Sequence, residues 1–180
     1  MTVIETDRLV LRRLNVDDAQ FILTLLNEPS FLRYIGDKKV RTLEDARQYI
    51  LNGPGASYER HGFGLCLVEL RDSHTPIGMC GLLKRQELPD PDIGFALLPD
   101  FWSKGFAFEA ATAVLEDGRE RLRIQQVLAI TSLDNDASIK LLERLGFTFE
   151  RVITLSTTGE RVKLFKRDHD QLGKGQYHLR

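Results

Sequence analysis

Apolar and polar positions repeat with two different periods along this chain, and the period changes several times before residue 166. Alternation at every second residue predicts half-buried strands, and apolar residues spaced three and four apart predict amphipathic helices. Strands are predicted at 8–14, 63–70, 77–83, 92–98, 125–131, 148–155 and 161–166. Helices are predicted from a cap at 15 or 17 up to 28, and over 42–51, 105–122 and 135–145. The order β-α-α-β-β-β-α-β-α-β-β indicates an α/β (α+β) fold.

Proline and glycine set the expected ends of the two N-terminal helices. Pro29 is expected to end the first helix, and Gly53-Pro54 the second. A loop that holds Phe31, Tyr34 and Ile35 is expected between them.

Length and composition favour one globular domain. The chain has 180 residues, 42% of them hydrophobic, and no Gly/Ser-rich linker divides it. The domain is therefore predicted over 1–168, followed by a polar tail at 169–180 that frays. The N-terminus alternates apolar and charged residues, and no apolar run approaches the roughly 18 residues that span a bilayer. We expect no membrane partner and a cytoplasmic location.

Charge and cysteine usage narrow the function classes further. The 25 basic and 26 acidic residues give a formal net charge of -1, which offers no support for a nucleic-acid partner. Cys66 and Cys80 each lie inside an apolar strand pattern, so buried reduced thiols are expected rather than a disulfide or a catalytic pair. No metal-ligand spacing links the cysteines to the histidines, and no metal is expected. The histidines are His61, His74, His169 and His178.

One strand-to-helix turn has the features of an anion site. The segment Leu98 to Ala110 reads LPDFWSKGFAFEA, where an apolar run stops and a helix opens on a glycine. The first N–H groups of a helix have no intrahelical partner, so those from Ser103 to Ala107 can bind a pyrophosphate. Gly105 permits close approach of the ligand. The alternative is a tight turn with close helix packing.

A second segment adds a strand–helix–strand unit. The sequence LDNDASIKLLERLGF at 133–147 follows a predicted strand and opens with helix N-cap residues. It carries an apolar stripe of helical period and stops at Gly146, the expected glycine just past a helix end.

Both segments resemble motifs of the GNAT acyltransferases. Trp102-x-x-Gly105-x-Ala107 is similar to the coenzyme A signature Q/R-x-x-G-x-G/A, with Trp in place of Gln or Arg. Asn135-x-x-Ser138 followed by ERLGF is similar to the second motif, N-x-x-S-x-x-x-x-E-[KR]-x-G-F. The segment WSKGFAFEA resembles the RimJ/RimL-like branch. The resemblance covers 6–166, with specific motifs only in 92–147.

The resemblance implies a fold and a reaction. The GNAT fold is a mixed, mostly antiparallel sheet with flanking helices, in which the strands ending near Leu98 and Thr131 splay apart. The implied reaction is direct transfer of acetyl from acetyl-CoA to an amine by a monomer or homodimer. A protein N-terminal α-amine is the leading acceptor. A small-molecule or antibiotic amine, or a non-catalytic acyl-CoA sensor, are the alternatives.

The resemblance also places the coenzyme. Its pantetheine arm would enter the V between the splayed strands and pair with the backbone of 95–98 like an added strand. Amides near Phe95 to Leu97 would face the oxyanion. Lys104 and Lys140 either meet phosphates or are surface charges, and Asn135 is either a pantetheine ligand or a helix cap. The expected coenzyme-binding residues are Phe95, Ala96, Leu97, Leu98, Trp102, Ser103, Lys104, Gly105, Phe106, Ala107, Asn135 and Ser138.

Ser138 and Asp92 are the candidate catalytic residues. Ser138 shares a helical face with the apolar stripe and resembles the serine that donates to the leaving thiolate in Rim-type enzymes. It could instead cap the helix or bond a backbone carbonyl. Asp92 is the candidate general base, or alternatively a solvated carboxylate at a strand end.

Other base candidates are weaker, and the acceptor side is less defined. Glu109 is expected to have a structural role, because a carboxylate there would repel a nearby phosphate. The stretch VITLSTT at 152–158 carries no carboxylate where some Rim-type enzymes have one, and Glu160 falls in a turn. Water could therefore replace a side-chain base.

Phe31 and Tyr34, in the segment 27–60, are expected to contact the acceptor.

Overall fold

An eight-stranded sheet in the order β1-β2-β3-β4-β5-β6-β8-β7 forms the centre of the molecule. The computed structural model describes residues 3–169. The strands are β1 (Ile4–Glu5), β2 (Leu9–Arg13), β3 (Leu65–Leu70), β4 (Pro76–Leu83), β5 (Asp92–Leu97), β6 (Gln126–Ser132), β7 (Thr148–Thr154) and β8 (Arg161–Asp168). The helices are α1 (Ala19–Leu26), α2 (Pro29–Tyr34), α3 (Leu43–Ile50), α4 (Ala56–His61), α5 (Phe106–Glu120) and α6 (Asp136–Arg144).

Neighbouring strands are antiparallel except at the centre of the sheet. There β5 and β6 run parallel, and they pair only at Asp92 and Leu128. The Leu128 N–H donates to the Pro91 carbonyl over 2.9 Å at this point. Beyond it β5 continues to Leu97 and β6 to Ser132 without pairing to each other, which confirms the predicted splay.

The two faces of the sheet bury different helices, because successive strand residues point to opposite sides. Leu67 and Met79 pack with residues of α1, α2 and α3. Their neighbours Val68 and Cys80 pack on the other face with residues of α5 and α6. The coenzyme motifs and the N-terminal helices therefore lie on opposite faces of the sheet.

The segment 27–62 is more helical than predicted. The first helix ends before Pro29, as predicted, since α1 stops at Leu26 and Glu28 is not helical. Pro29 then begins a further helix, α2, at its first turn, where its missing N–H costs nothing. The expected loop with Phe31 and Tyr34 is therefore mostly helix. Gly53-Pro54 fails to end the second helix, because a π-helical turn over Leu51–Gly55 leads directly into α4. That path ends at Gly62, whose φ of +76° is left-handed.

Both cysteines are free thiols; Cys80 is buried, as expected, and Cys66 is half-buried. Cys66 and Cys80 lie opposite each other on β3 and β4, and both are free. Burial raises the pKa of Cys66 to about 11, so its thiol stays protonated near neutral pH.

The described residues contain neither a candidate membrane span nor a candidate metal site, and they end at His169. Among residues 3–169, no helix is both long and apolar enough to cross a bilayer, and no group of three metal-ligating side chains occurs. The predicted tail falls outside the described residues from position 170 onward. Its first residue, His169, is buried, and its N–H donates to the Gln125 carbonyl over 2.9 Å.

Candidate active site

The splayed edges of β5 and β6 open into a cavity of about 760 Å³. On one face the cavity reaches the N-terminal turns of α5 and α6. On the other it reaches α2, α3 and the turn between β7 and β8. The cavity brings together most of the predicted site residues, namely Phe31, Tyr34, Asp92, Phe95, Ala96, Leu97, Trp102, Ser103, Gly105, Phe106, Ala107, Asn135 and Ser138.

Two predicted coenzyme residues, Leu98 and Lys104, do not line this cavity. The Leu98 side chain packs with the core under α1 and α3. Lys104 is exposed, with its ammonium 5.8 Å from the Phe101 ring centroid. Strand alternation turns the Leu98 side chain to the far face and the loop turns Lys104 outward, so a role of either residue in coenzyme binding stays a prediction.

A different cation lies at the coenzyme side. Arg144 lines the cavity, and its guanidinium carbon lies 4.5 Å from the centre of the Phe108 ring. The other predicted phosphate contact, Lys140, does not line it. Arg144 is part of the ERLGF motif, so projecting α6 as a helix backward from Gly146 could have found it.

The N-terminus of α5 presents free backbone amides. Gly105 caps the helix with a φ of +82°, and no side chain accepts a hydrogen bond from the first turn. The first helical bond is from the Glu109 N–H to the Gly105 carbonyl, so the N–H groups of 106–108 have no intrahelical acceptor. Ser103 is also left-handed, at +59°. Such a turn can surround an anion with N–H groups.

Arg8, which directly precedes β2, holds the loop before α5 in place. Arg8 donates from Nε to Glu109 Oε2 over 2.7 Å and from Nη1 to the Lys104 carbonyl over 3.0 Å. Its guanidinium carbon lies 4.3 Å from the centre of the Phe106 ring. The Thr6 hydroxyl donates to Glu109 Oε1 over 2.9 Å.

Glu109 therefore holds Thr6 and Arg8 against the start of α5, which is a structural role. Partial burial acts to raise its pKa, but the hydrogen bonds from Thr6 and Arg8 outweigh that effect and hold the pKa below its usual value. The expected structural role is the one observed. The contact joins residues about 100 positions apart, and no local sequence signal predicts it.

The open edge of β5 exposes alternate backbone groups. The Leu98 N–H donates to the Ile77 carbonyl over 2.8 Å, and this fixes the phase of the antiparallel ladder with β4. Ala96 therefore directs its N–H toward β4, so it cannot supply an amide to the cavity. Phe95 and Leu97 direct their N–H groups toward the V. The Leu97 carbonyl already accepts a hydrogen bond of 2.8 Å from the indole of Trp102.

The start of α6 carries both a cap and a free hydroxyl. Asn135 Oδ1 accepts from the Ser138 N–H over 3.3 Å, so Asn135 is a helix cap whose side chain also lines the cavity. Ser138 is half-buried, and its hydroxyl has no hydrogen-bond partner within residues 3–169. Thr131 and Ser132 at the end of β6 have buried hydroxyls that are likewise unpartnered in the described part of the chain. The motifs did not predict these two.

Asp92 is buried and paired, which overturns the alternative of a solvated carboxylate. Its exposed fraction is 0%, and its two oxygens lie 3.2 and 3.0 Å from Nε of Arg85. Burial raises the pKa of Asp92 to about 6, although the charge of Arg85 acts to lower it. Asp92 is enclosed because it lies between Leu83 of β4 and Leu128 of β6, where the three strands join.

The far side of the cavity has two walls. Phe31, which is buried, and Tyr34 line it from α2. The turn between β7 and β8 lines it from the opposite side, so the segment 27–60 forms only part of this region. Glu87 holds that turn in place by accepting hydrogen bonds from the Ser156 N–H over 2.6 Å and the Thr157 hydroxyl over 2.7 Å.

Comparisons with known proteins agree with this architecture. Residues 8–148 match the model of the acetyltransferase (GNAT) domain. The uncharacterized N-acetyltransferase YoaA of Bacillus subtilis (strain 168) is 31% identical over 152 residues, which cover 84% of this chain and 85% of that protein. An acetyltransferase from Agrobacterium tumefaciens str. C58 has the same fold, with a TM-score of 0.79 at 22% identity, covering 93% of this chain and 94% of that one.

A further solved structure has the same fold. RimL, a ribosomal L7/L12 alpha-N-protein acetyltransferase solved in complex with coenzyme A, superposes with a TM-score of 0.78 at 18% identity, covering 93% of this chain and 98% of that one. At such identity the likeness concerns the fold. The matched domain and the related sequence carry the assignment of family, and this chain belongs to the GNAT family of acetyltransferase enzymes.

Proposed function

We propose that this enzyme transfers the acetyl group of acetyl-CoA to the α-amino group of a protein N-terminus. The observation that carries the proposal is one continuous cavity, which runs from the free amides of α5, along the open edge of β5, to the buried carboxyl of Asp92. RimL, which has the same fold, is named as an α-N-protein acetyltransferase and supports this choice of acceptor.

The free amides at the start of α5 fit a coenzyme pyrophosphate. The N–H groups of 106–108 have no other acceptor in the helix, and the positive end of the helix dipole favours an anion. Gly105 has no side chain to crowd these amides, and a Cβ there would lie 3.3 Å from Nη2 of Arg8, the arginine that holds this loop. Arg144 adds a positive charge at the same side of the cavity. Bound there, acetyl-CoA would supply an acyl group activated as a thioester.

The unpaired backbone of β5 suits the middle of the coenzyme and the acyl oxygen. The N–H groups of Phe95 and Leu97 face the V and can pair with pantetheine amides or with a developing oxyanion. One such donor typically contributes about 3 kcal/mol to lowering the barrier. Ser138 lies across the cavity with a free hydroxyl, and we assign it the role of donor to the departing sulfur.

Asp92 is the proposed acceptor of the amine proton. An N-terminal amine has a pKa of about 7.7 to 8.0, so part of it is already neutral at pH 7 and the nitrogen must lose one proton on acylation. Asp92 faces the side of the sheet that holds α2 and α3, and its pKa of about 6 keeps it ionised at neutral pH. Because its carboxyl is buried, a water molecule between amine and carboxyl is the expected route.

The acceptor is proposed to lie between α2 and the β7–β8 turn. Phe31 and Tyr34 offer apolar contact for a first side chain, and Glu28 at the same wall offers a negative charge to a cationic amine. A cleft with two separate walls accommodates an extended chain. A small-molecule amine remains the second candidate acceptor, and a coenzyme sensor the alternative without turnover.

Release of free thiol from acetyl-CoA tests the function directly. A panel should contain a short peptide with a free α-amine, the same peptide with a blocked α-amine and one lysine, spermidine and an aminoglycoside. We expect the free α-amine to have a kcat/KM at least tenfold above every other member, because its lower pKa and extended shape suit the cleft. Preference for a small amine would overturn the acceptor. Tight coenzyme binding without turnover would favour the sensor.

Substitution of Gly105 tests the pyrophosphate site. We expect Gly105→Val to weaken coenzyme A binding at least tenfold, about 1.4 kcal/mol, because the side chain crowds the amides and strains a left-handed residue. Gly62→Val is the matched control, since Gly62 has a similar φ of +76° with open space around it and lies outside the cavity. Isothermal titration gives the Kd of coenzyme A for each variant. Equal Kd values for Gly105→Val and Gly62→Val would show that the pyrophosphate does not bind at the start of α5.

Substitution of Ser138 separates catalysis from helix capping. Ser138→Ala should lower kcat roughly tenfold to a hundredfold with little change in coenzyme affinity, because the hydroxyl acts mainly as charge builds on sulfur. The cap survives this change, since Asn135 accepts from the backbone N–H of residue 138. Single-turnover kinetics should be used so that chemistry limits the rate. Wild-type turnover would leave Ser138 a structural residue.

The pH profile tests Asp92. With an amine of pKa about 8 as acceptor, log kcat/KM should rise with slope one between about pH 6 and 8, and with slope two below about pH 6, where Asp92 also becomes protonated. Asp92→Asn should lower kcat/KM and reduce the slope below pH 6 to one. Circular dichroism checks that the variant is folded. A steeper limb that persists in Asp92→Asn would assign the proton acceptor elsewhere.

A further inference from the structure

Three side chains that line the acceptor half of the cavity carry donor groups with no hydrogen-bond acceptor within residues 3–169. They are Lys38, which follows α2, Tyr49 on α3 and Arg85, which follows β4. Arg85 uses only its Nε on Asp92, so its two terminal nitrogens have no hydrogen bond within residues 3–169. Over the same range, Lys38 forms no ion pair and the Tyr49 hydroxyl has no hydrogen bond.

Arg85 lies close enough to Lys38 and to Tyr49 to influence the pKa of each. Lys38 is exposed, but partial desolvation lowers its pKa and the charge of Arg85 lowers it further. Burial raises the pKa of Tyr49 to about 12, although Arg85 acts against this increase. Tyr49 therefore remains a neutral donor at all working pH values. The two cations on this wall repel each other in part, and the neutral phenol beside them is a further donor.

Nearby carboxylates do not satisfy these donors. Glu160, on the β7–β8 turn, acts to raise the pKa of Lys38 but does not outweigh the other effects, and it lies beyond ion-pair distance. Glu87 is committed to Ser156 and Thr157. Asp92 is fully buried and engages one nitrogen of Arg85. The wall can therefore be completed by an external acceptor of hydrogen bonds that carries negative charge.

We propose that Lys38, Tyr49 and Arg85 form an anion subsite that selects amines carrying a carboxylate. The inference rests on the proposed acetylation of an amine and specifies its substrate class. Arginine and lysine together recognise a carboxylate by charge-assisted hydrogen bonds, and the phenol adds a third donor. The carboxylate can come from an acidic side chain next to a peptide N-terminus or from a free amino acid.

Matched pairs of acceptors distinguish the two sources. One pair is a peptide amide with Asp or with Asn at its second position. The other pair is a free amino acid and its amide. Thiol release gives kcat/KM for each member, and titration into protein saturated with coenzyme A gives each Kd. The carboxylate-bearing member of one pair should have a kcat/KM at least tenfold higher and a correspondingly lower Kd, and that pair identifies the source.

Variants of the wall tie this preference to the subsite. Lys38→Gln should reduce the acid-to-amide ratio about tenfold, and Lys38→Glu should reverse it in favour of the uncharged member. Tyr49→Phe keeps the ring packed and should reduce the ratio severalfold. Arg47→Gln is the matched control. Arg47 lies on α3 like Tyr49, but it is exposed, pairs with Glu44 and lies outside the cavity. It should keep the wild-type ratio.

The outcomes separate this proposal from the proposed function. Acetylation of both members of each pair at equal rates would remove the anion subsite and leave the acetyltransferase reaction intact. An unchanged ratio in Lys38→Gln and Lys38→Glu would also remove it. Absence of turnover, with the acid still bound at least tenfold more tightly than the amide and the preference lost in Lys38→Gln, would retain the subsite and reject the proposed reaction.

Discussion

The single paired position between β5 and β6 is the constraint on which the rest of the site depends. A parallel pair normally continues for several residues, but here only Asp92 and Leu128 are matched. Each strand then keeps its antiparallel partner on the other side, β4 for β5 and β8 for β6, so both remain ordered while they separate. Unpaired backbone groups at the centre of a sheet are costly when buried, and a cavity open to ligands is what makes them tolerable.

The vertex of this divergence also explains the environment of Asp92. A residue that bridges three strands is enclosed by their backbones, and a carboxylate so enclosed needs a cation. Arg85 provides it from the loop that follows β4. The pair stays in contact with the cavity because the strands separate immediately afterwards. A buried group is usually out of reach of a ligand. Here the separation of β5 and β6 directly after Asp92 lets this carboxyl be buried and still border the cavity.

The sequence predicted correctly those helices and strands whose ends are determined by cap residues and apolar periodicity within the same segment. The helix α6 is an example, because Asn135, its apolar stripe and Gly146 all lie within one segment. The separation of β5 and β6 was predicted only from the resemblance to a known family. The segment after Pro29 was misjudged because proline can both end one helix and begin the next, and only packing decides which occurs.

Contacts between distant parts of the chain were beyond such signals. The sequence indicated Asp92 as a candidate, but whether it was solvated or buried depended on Leu83 and Leu128, which approach only in the folded sheet. The brace from Arg8 to Glu109 and the cavity position of Arg144 have the same origin. The side chains of Leu98 and Lys104 lie outside the cavity because of strand alternation and the path of one loop, details that a motif does not specify.

The brace made by Arg8 has a consequence for the N-terminal strands. β1 and β2 lie at the edge of the sheet, and Arg8 connects them to the amides at the start of α5 through Glu109 and the Lys104 carbonyl. Any ligand held by those amides is thermodynamically linked to the docking of this edge, so each stabilises the other by the same free energy. Release of the first strands, by a partner or by proteolysis, would therefore act at a distance as a negative effector of the cavity.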